Sequence, residues 1–171
     1  MFNILWAMLK NIIILSLLLL SVSLSGQNNE PATSELNKNS IFATMGYGYH
    51  NPDLAYGFGL TYERQLVKFS NSYLYAQGGW AYWYLWGVSA NSYQLNAAYL
   101  LGSKSSHLEL DLGIDYACIA NDYKGVFDFS DGEVKLLANV AYRYQKHGKP
   151  ILFRVGVGTV ALAFVSFGIS F

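Results

Sequence analysis

From Ile41 to Phe171 the chain alternates, residue by residue, between apolar side chains and small or polar ones, in eight successive segments. A period of two places alternate side chains on opposite faces of a strand, so each segment predicts a β-strand with two unlike faces. The fifth is the clearest: Leu108, Leu110, Leu112, Ile114 and Tyr116 face one way, and Glu109, Asp111, Gly113 and Asp115 the other. The first sets Ile41, Ala43, Met45, Tyr47 and Tyr49 against Phe42, Thr44, Gly46, Gly48 and His50. The second sets Leu54, Tyr56, Phe58, Leu60 and Tyr62 against Ala55, Gly57, Gly59, Thr61 and Glu63. The fourth runs Tyr93 to Leu101, the sixth Val134 to Tyr144 and the seventh Ile151 to Gly158, each with the same alternation. The last puts Val165, Phe167, Ile169 and Phe171 opposite Ser166, Gly168 and Ser170. The third, Tyr73 to Trp86, is so aromatic that alternation does not tell its faces apart. No stretch after Ile41 shows a convincing helical spacing.

What the two faces are made of decides the environment. The non-apolar face is mostly Gly, Ala, Ser and Thr with a few charges of both signs, which suits the tight interior of an eight-stranded barrel. The apolar face carries almost no charge, as in membrane barrels that are apolar outside and polar inside. The prediction is therefore an all-β protein, an eight-stranded antiparallel up-and-down transmembrane β-barrel over residues 41–171. Composition points the same way. Charged residues are 13% of the 171, about half the roughly 25% of a globular domain, and aromatics reach 16% with fourteen Tyr. With the N-terminus taken as periplasmic, short polar turns are expected at Val67–Ser72, Gly102–Ser106 and Gln145–Pro150. Outer loops are expected at His50–Asp53, Gly87–Asn91, Asn121–Gly132 and around Thr159–Ala161, and only Asn121–Gly132 is long.

The preceding residues read as an export segment. Lys10 is followed by an apolar core from Asn11 to Ser25, and Ser23 and Ser25 sit at the −3 and −1 positions of a cut before Gly26. The core, Ile12 to Leu20, is short for crossing ~30 Å of hydrocarbon. Residues 1–25 are thus expected to be a cleaved signal peptide, with Met8 an alternative start. Residues 26–40 are polar and aperiodic, expected to be a disordered lead-in.

Several local sequences carry a resemblance. Tyr142-Arg143-Tyr144-Gln145, a Gly-containing turn, Leu152-Phe153-Arg154-Val155-Gly156 and a final Ser-Phe-Gly-Ile-Ser-Phe are similar to a family of small, uncharacterised outer-membrane barrel proteins of the OmpA/OmpX eight-stranded type. Tyr99-Leu100-Leu101-Gly102 followed by His107-Leu108-Glu109-Leu110 fits the same family. The resemblance spans roughly Ile41 to Phe171. It implies a place in the bacterial cell outer membrane, outer-membrane lipids as neighbours, and barrel-assembly machinery that reads the terminal strand through Phe171, Ile169 and Phe167. It supplies no catalytic residues.

Candidate chemistry is sparse. Glu109, Asp111, Asp115, Lys135, Arg143 and Arg154 all fall on inward faces. Pairing across the long loop is expected to bring Glu109 level with Arg143 and to put Arg154 beside Ala141, with Lys135 and Asp115 further out. An unpaired buried ion costs several kcal/mol, so a structural plug of salt bridges is preferred to a proton or ion path. The histidines, His50, His107 and His147, are scattered along the chain. His50 with Ser130, Asp122 or Asp128 would suit a lipid A- or phospholipid-modifying enzyme, though no motif spacing supports it. Trp80, Tyr82, Trp83, Tyr84 and Trp86 are expected to form an interfacial girdle. In loop 121–132, Tyr123, Phe127 and Phe129 could meet an extracellular ligand. No metal-ligand spacing occurs, Asp128 and Asp131 being weak candidates, and no cofactor motif is found. Cys118 is the single cysteine, expected as an apolar filler on a strand. A formal net charge of zero with no basic run sets nucleic acid aside. The expected function is non-enzymatic, structural or surface-interacting; the alternatives are the lipid-modifying enzyme and a small pore.

Overall fold

The structure, a computed structural model, describes residues 36–50, 53–85, 88–102, 105–119 and 132–171. The expected signal peptide, Trp86 and the loop residues Tyr123, Phe127, Phe129, Ser130, Asp122, Asp128 and Asp131 lie outside the described residues.

Eight strands follow the alternating segments: β1 (Asn39–His50), β2 (Asp53–Lys68), β3 (Ser72–Leu85), β4 (Val88–Leu101), β5 (Ser106–Ile119), β6 (Glu133–Gln145), β7 (Ile151–Gly158) and β8 (Ala163–Ser170). Each pairs antiparallel with its neighbours in sequence, and β1 also pairs with β8, from Ser40↔Ser170 to Tyr47↔Ala163, which closes the barrel. Closure leaves no sheet edge along these pairs, the condition for a sheet to lie in lipid.

The sheet is inside out relative to a soluble one. Leu112 is 62% exposed and Leu136 66%, while Glu109 and Arg143 are 0% exposed. Met45, Tyr47, Tyr56, Phe58, Leu60, Tyr62, Phe167 and Ile169 likewise stand outward, with Met45, Phe58 and Phe167 more than half exposed. Cys118 continues the outward row of β5 and is a free, half-buried thiol.

Neighbouring strands settle the faces of β3. Gln77 pairs with Glu63 of β2 and Asn96 of β4, both inward, so Tyr73, Tyr75, Gln77 and Ala81 are buried in the lumen, while Trp80 and Tyr84 point out. Close strand approach also explains Gly113: a Cβ there would run into the Leu95 carbonyl oxygen and Asn96 of β4. Two turns at the end of the barrel that bears Asn39 and Phe171 use positive φ, Gly102 at 136° and Gly148 at 67°, a conformation glycine adopts freely.

The lead-in was expected to be disordered as far as Ser40; its last five residues, 36–40, are instead built into the barrel. β1 starts at Asn39. Leu36 is buried against Tyr73, Tyr75, Ala98 and Leu100. The Asn37 side chain donates to the Ser170 carbonyl at 2.8 Å, and the Tyr75 hydroxyl donates to the Asn37 carbonyl at 3.2 Å. The Gln65 N–H donates to the Lys38 carbonyl at 2.7 Å. Leu36 packs in a cluster with Tyr73, Tyr75, Ala98 and Leu100 at the lumen mouth, so its burial removes apolar surface from water.

Candidate functional site

The inward faces of β2, β3, β5, β6 and β7 meet in one charged layer across the lumen. Arg143 of β6 grips Glu63 of β2 with both terminal nitrogens, one to Oε2 at 2.9 Å and the other to Oε1. Its Nε donates to Gln145 Oε1 at 2.9 Å, and it reaches Glu109 Oε2 at 3.5 Å. Arg154 of β7 donates from Nε to Glu109 Oε2 at 3.1 Å, and from its terminal nitrogen to Glu109 Oε1 and to Asp111 Oδ2, the last at 3.0 Å. Gln77 joins the two halves, its Nε2 donating to Glu63 Oε2 at 3.1 Å and Glu109 Oε1 at 3.3 Å, while Asn96 donates to Gln77 Oε1 at 2.6 Å. Aromatic faces cover the cations: Arg143 lies 5.2 Å from the Tyr75 ring centre and Arg154 4.4 Å from that of Phe42.

The guanidinium groups fit this place for a physical reason. Each is planar, always charged and offers several donors, so one cation can satisfy two carboxylates at once: Arg143 joins Glu63 of β2 to Glu109 of β5, and Arg154 holds Glu109 and Asp111, both of β5. Pairing of this kind is what makes five ions tolerable in a space shielded from water.

Of the six charges singled out from sequence, Glu109, Asp111, Arg143 and Arg154 are brought together. Asp115 and Lys135 stand opposite each other, one on β5 and one on β6, further along the barrel. The pairing itself differs from expectation. Arg143 is level with His107, not Glu109, and Glu109 lies opposite Ala141. Arg154 is level with Arg143, and Ala141 faces Gly156. Both slips are of two residues, which keep every side chain on its own face, and the long arginine side chains still reach their partners. Glu63 was recognised as inward but not as a member; its signal was that it is the one charge on the inward face of the second segment.

Two of the histidines are neighbours. His107 is 1% exposed, and its ring centre lies 6.4 Å from that of His147 and 6.1 Å from that of Tyr73. His50 ends β1 and its proposed loop companions lie outside the described residues. The girdle is also corrected: Trp80 and Tyr84 are exposed on the outside, with Trp80 Nε1 donating to Asn91 Oδ1 at 3.0 Å, but Trp83 points into the lumen and donates to Ser92 Oγ at 3.3 Å. The odd-numbered phase of β3, set by Gln77, carries Trp83 inward.

Three solved structures are similar to the chain to different degrees. The N-terminal β-barrel domain of OprF from Pseudomonas aeruginosa is similar with a TM-score of 0.52 and 13% identity, over 80% of this chain and 100% of that one. The fold is that of a small outer-membrane barrel. Ail from Yersinia pestis, in a phospholipid bilayer nanodisc, has a TM-score of 0.46 and 10% identity over 78% of this chain and 98% of its own. The outer membrane enzyme PagL has a TM-score of 0.44 and 15% identity over 77% and 95%. No protein-family model matches the chain. No curated protein matches it either.

Proposed function

We propose that this chain is an integral outer-membrane barrel with a non-enzymatic, structural or surface-interaction role and a lumen that does not conduct. The observation that carries this reading is the charged layer, in which Arg143 and Arg154 bridge Glu63, Glu109 and Asp111 across the barrel. A proton or ion path needs groups that exchange partners or water, whereas both guanidiniums here are held by several acceptors at once. Below this layer, Leu36, Tyr73, Tyr75 and Leu100 fill the mouth at the end bearing Asn39 and Phe171. That end faces the periplasm in this reading, the signal peptide is removed on export, and the strand ending in Phe171 is presented to the barrel-assembly machinery. The longer loop 121–132, with Tyr123, Phe127 and Phe129, then faces outward as the surface for an extracellular ligand.

The test is electrical. Barrel purified from membranes and inserted into planar bilayers should give no discrete conductance steps, and regular steps would replace this reading with that of a pore.

A further inference from the structure

The positive charges outside the lumen are placed unevenly. Arg143 and Arg154 belong to the charged layer, and Lys135 stands opposite the inward Asp115. Every other Lys or Arg among the described residues lies at the end that bears Asn39 and Phe171: Lys38, Arg64, Lys68, Lys146 and Lys149. Lys38, Arg64, Lys68 and Lys149 are exposed there. The acids in that half of the barrel, among the described residues, are Glu63, Glu109 and Asp111, all buried and all gripping the arginines of the layer. At the opposite end strands begin with acids, Asp53 in β2 and Glu133 in β6.

Backbone contacts join these positions into one arc. Arg64 is level with Asn39, and the Gln65 N–H donates to the Lys38 carbonyl at 2.7 Å. The Asn37 side chain donates to the Ser170 carbonyl at 2.8 Å. Ser170 in turn donates from its N–H to the Pro150 carbonyl at 2.6 Å and from its hydroxyl to the Lys149 carbonyl at 3.2 Å. The β6–β7 turn, the end of β8, residues 37–39 and the end of β2 therefore lie side by side along the rim.

The same arc carries exposed apolar side chains. Arg64 continues the outward row of Tyr56, Phe58, Leu60 and Tyr62. Past Arg64, β2 runs on to Lys68, and its register with β3 slips between Gln65 and Val67. A bulge bends the strand and re-aims its side chains; here Leu66, Val67 and Phe69 are all exposed, Leu66 the most. Phe69 packs against the outward Tyr99, with ring centres 6.2 Å apart, and Phe171 is exposed at the end of β8. A rim that is apolar toward the strands and cationic beyond them fits the head-group level of a bilayer. Lys and Arg lay their stems along the apolar surface there and hold their charge among the phosphates.

We propose that this arc binds anionic phospholipid in the leaflet next to it, with the phosphate against Lys38, Arg64 and Lys149 and the acyl chains along Leu66, Val67 and Phe171. A phosphate accepts from several donors at once, and a guanidinium can meet it with two. A zwitterionic head offers the same phosphate but brings its own ammonium to a cationic rim, so the arc selects by net charge. Basic groups at a membrane surface attract anionic lipid, and salt screens that attraction. The site rests on the membrane-spanning reading above and is independent of which way round the barrel stands.

The test uses the full chain folded in phosphatidylcholine vesicles, with a trace of phosphatidylglycerol or phosphatidylcholine carrying a diazirine near its glycerol. On irradiation, phosphatidylglycerol should label the peptides spanning residues 62–69 and 146–151 about tenfold more than phosphatidylcholine at low salt. Added salt should lower that ratio, and inorganic phosphate at matched ionic strength should not compete. Lys38→Gln, Arg64→Gln and Lys149→Gln together should bring the ratio below about twofold, with heat-modifiable gel migration retained because all three are exposed and outside the layer. The charge-keeping set Lys38→Arg, Arg64→Lys and Lys149→Arg should hold the ratio. Should the triple glutamine variant fail to fold, Lys149→Gln alone, in a turn, should lower the ratio about threefold. A ratio near one in the unaltered chain, a ratio indifferent to the glutamine substitutions, or competition by inorganic phosphate overturns the site and leaves the membrane reading standing. A chain that folds yet stays in water overturns both.

Discussion

Arg143 shows how one side chain can hold distant parts of the chain together. It bridges Glu63, 80 residues away in sequence, and Glu109, 34 away. Truncating it leaves the Glu63 carboxylate without a cation in a space shut off from water, while Glu109 keeps Arg154, and a stranded ion costs far more than the pair itself contributes. Arg143→Met should therefore destabilise the barrel by about 3–5 kcal/mol. Adding Glu63→Leu to it should restore part of that loss, since the second ion no longer needs a partner. Urea titration in lipid vesicles, followed by the gel shift of the folded barrel, measures both. A double variant less stable than the single one would mean that Glu63 has other strong partners. The membership of Glu63 was half legible beforehand: alternation put it in the lumen, but nothing along the chain said that its level matched that of Arg143.

Strands reveal a different division. β5 could be read almost completely from its own residues, because large apolar side chains alternate with Glu109, Asp111, Gly113 and Asp115 without interruption from Leu108 to Tyr116. Leu112, near the middle of its 14 residues, is 62% exposed and should sit near the bilayer midplane. Leu112→Arg is expected to destabilise by about 2–4 kcal/mol, whereas an apolar swap to Ile should be tolerated. Vesicle unfolding titrations distinguish the two. β3 could not be read this way, because Tyr and Trp occupy both of its faces and either phase satisfies the pattern. Its neighbours chose, through the pairing of Gln77 with Glu63 and Asn96. Just before β1, Leu36 was missed because a lone apolar residue in a polar stretch carries no periodicity. Burial at 2% exposure predicts that Leu36→Ala costs about 2–5 kcal/mol, read as a lower urea midpoint with the same barrel gel shift.

For the complete barrel, closure joins both ends of the sheet. Asn39 and Phe171 exchange backbone hydrogen bonds at 3.0 and 2.8 Å, and the Phe171 side chain is left 58% exposed on the outer surface. Its exposed ring therefore adds little to the folded barrel, which fits a role during assembly. Deleting Phe171 should lower the amount of barrel reaching the outer membrane several-fold in cells. The same deletion should change the urea midpoint of refolded protein little. Fractionation followed by the heat-modifiable gel shift checks the first part, and normal assembly of the variant would remove the assigned role.

Which face of each strand meets lipid was written in the residues themselves. A strand sends alternate side chains to opposite sides wherever it is placed, so the pattern survives without knowledge of any partner. The number of strands, their antiparallel order and the lipid-facing circumference follow from it. Which residues stand level across neighbouring strands was not written there. A slip of two residues leaves every face unchanged, so alternation is blind to it. Hydrogen bonding between strands chose the register that set Arg143 beside Arg154, turned Trp83 into the lumen and tied the short β7–β8 turn to β6 through Thr159.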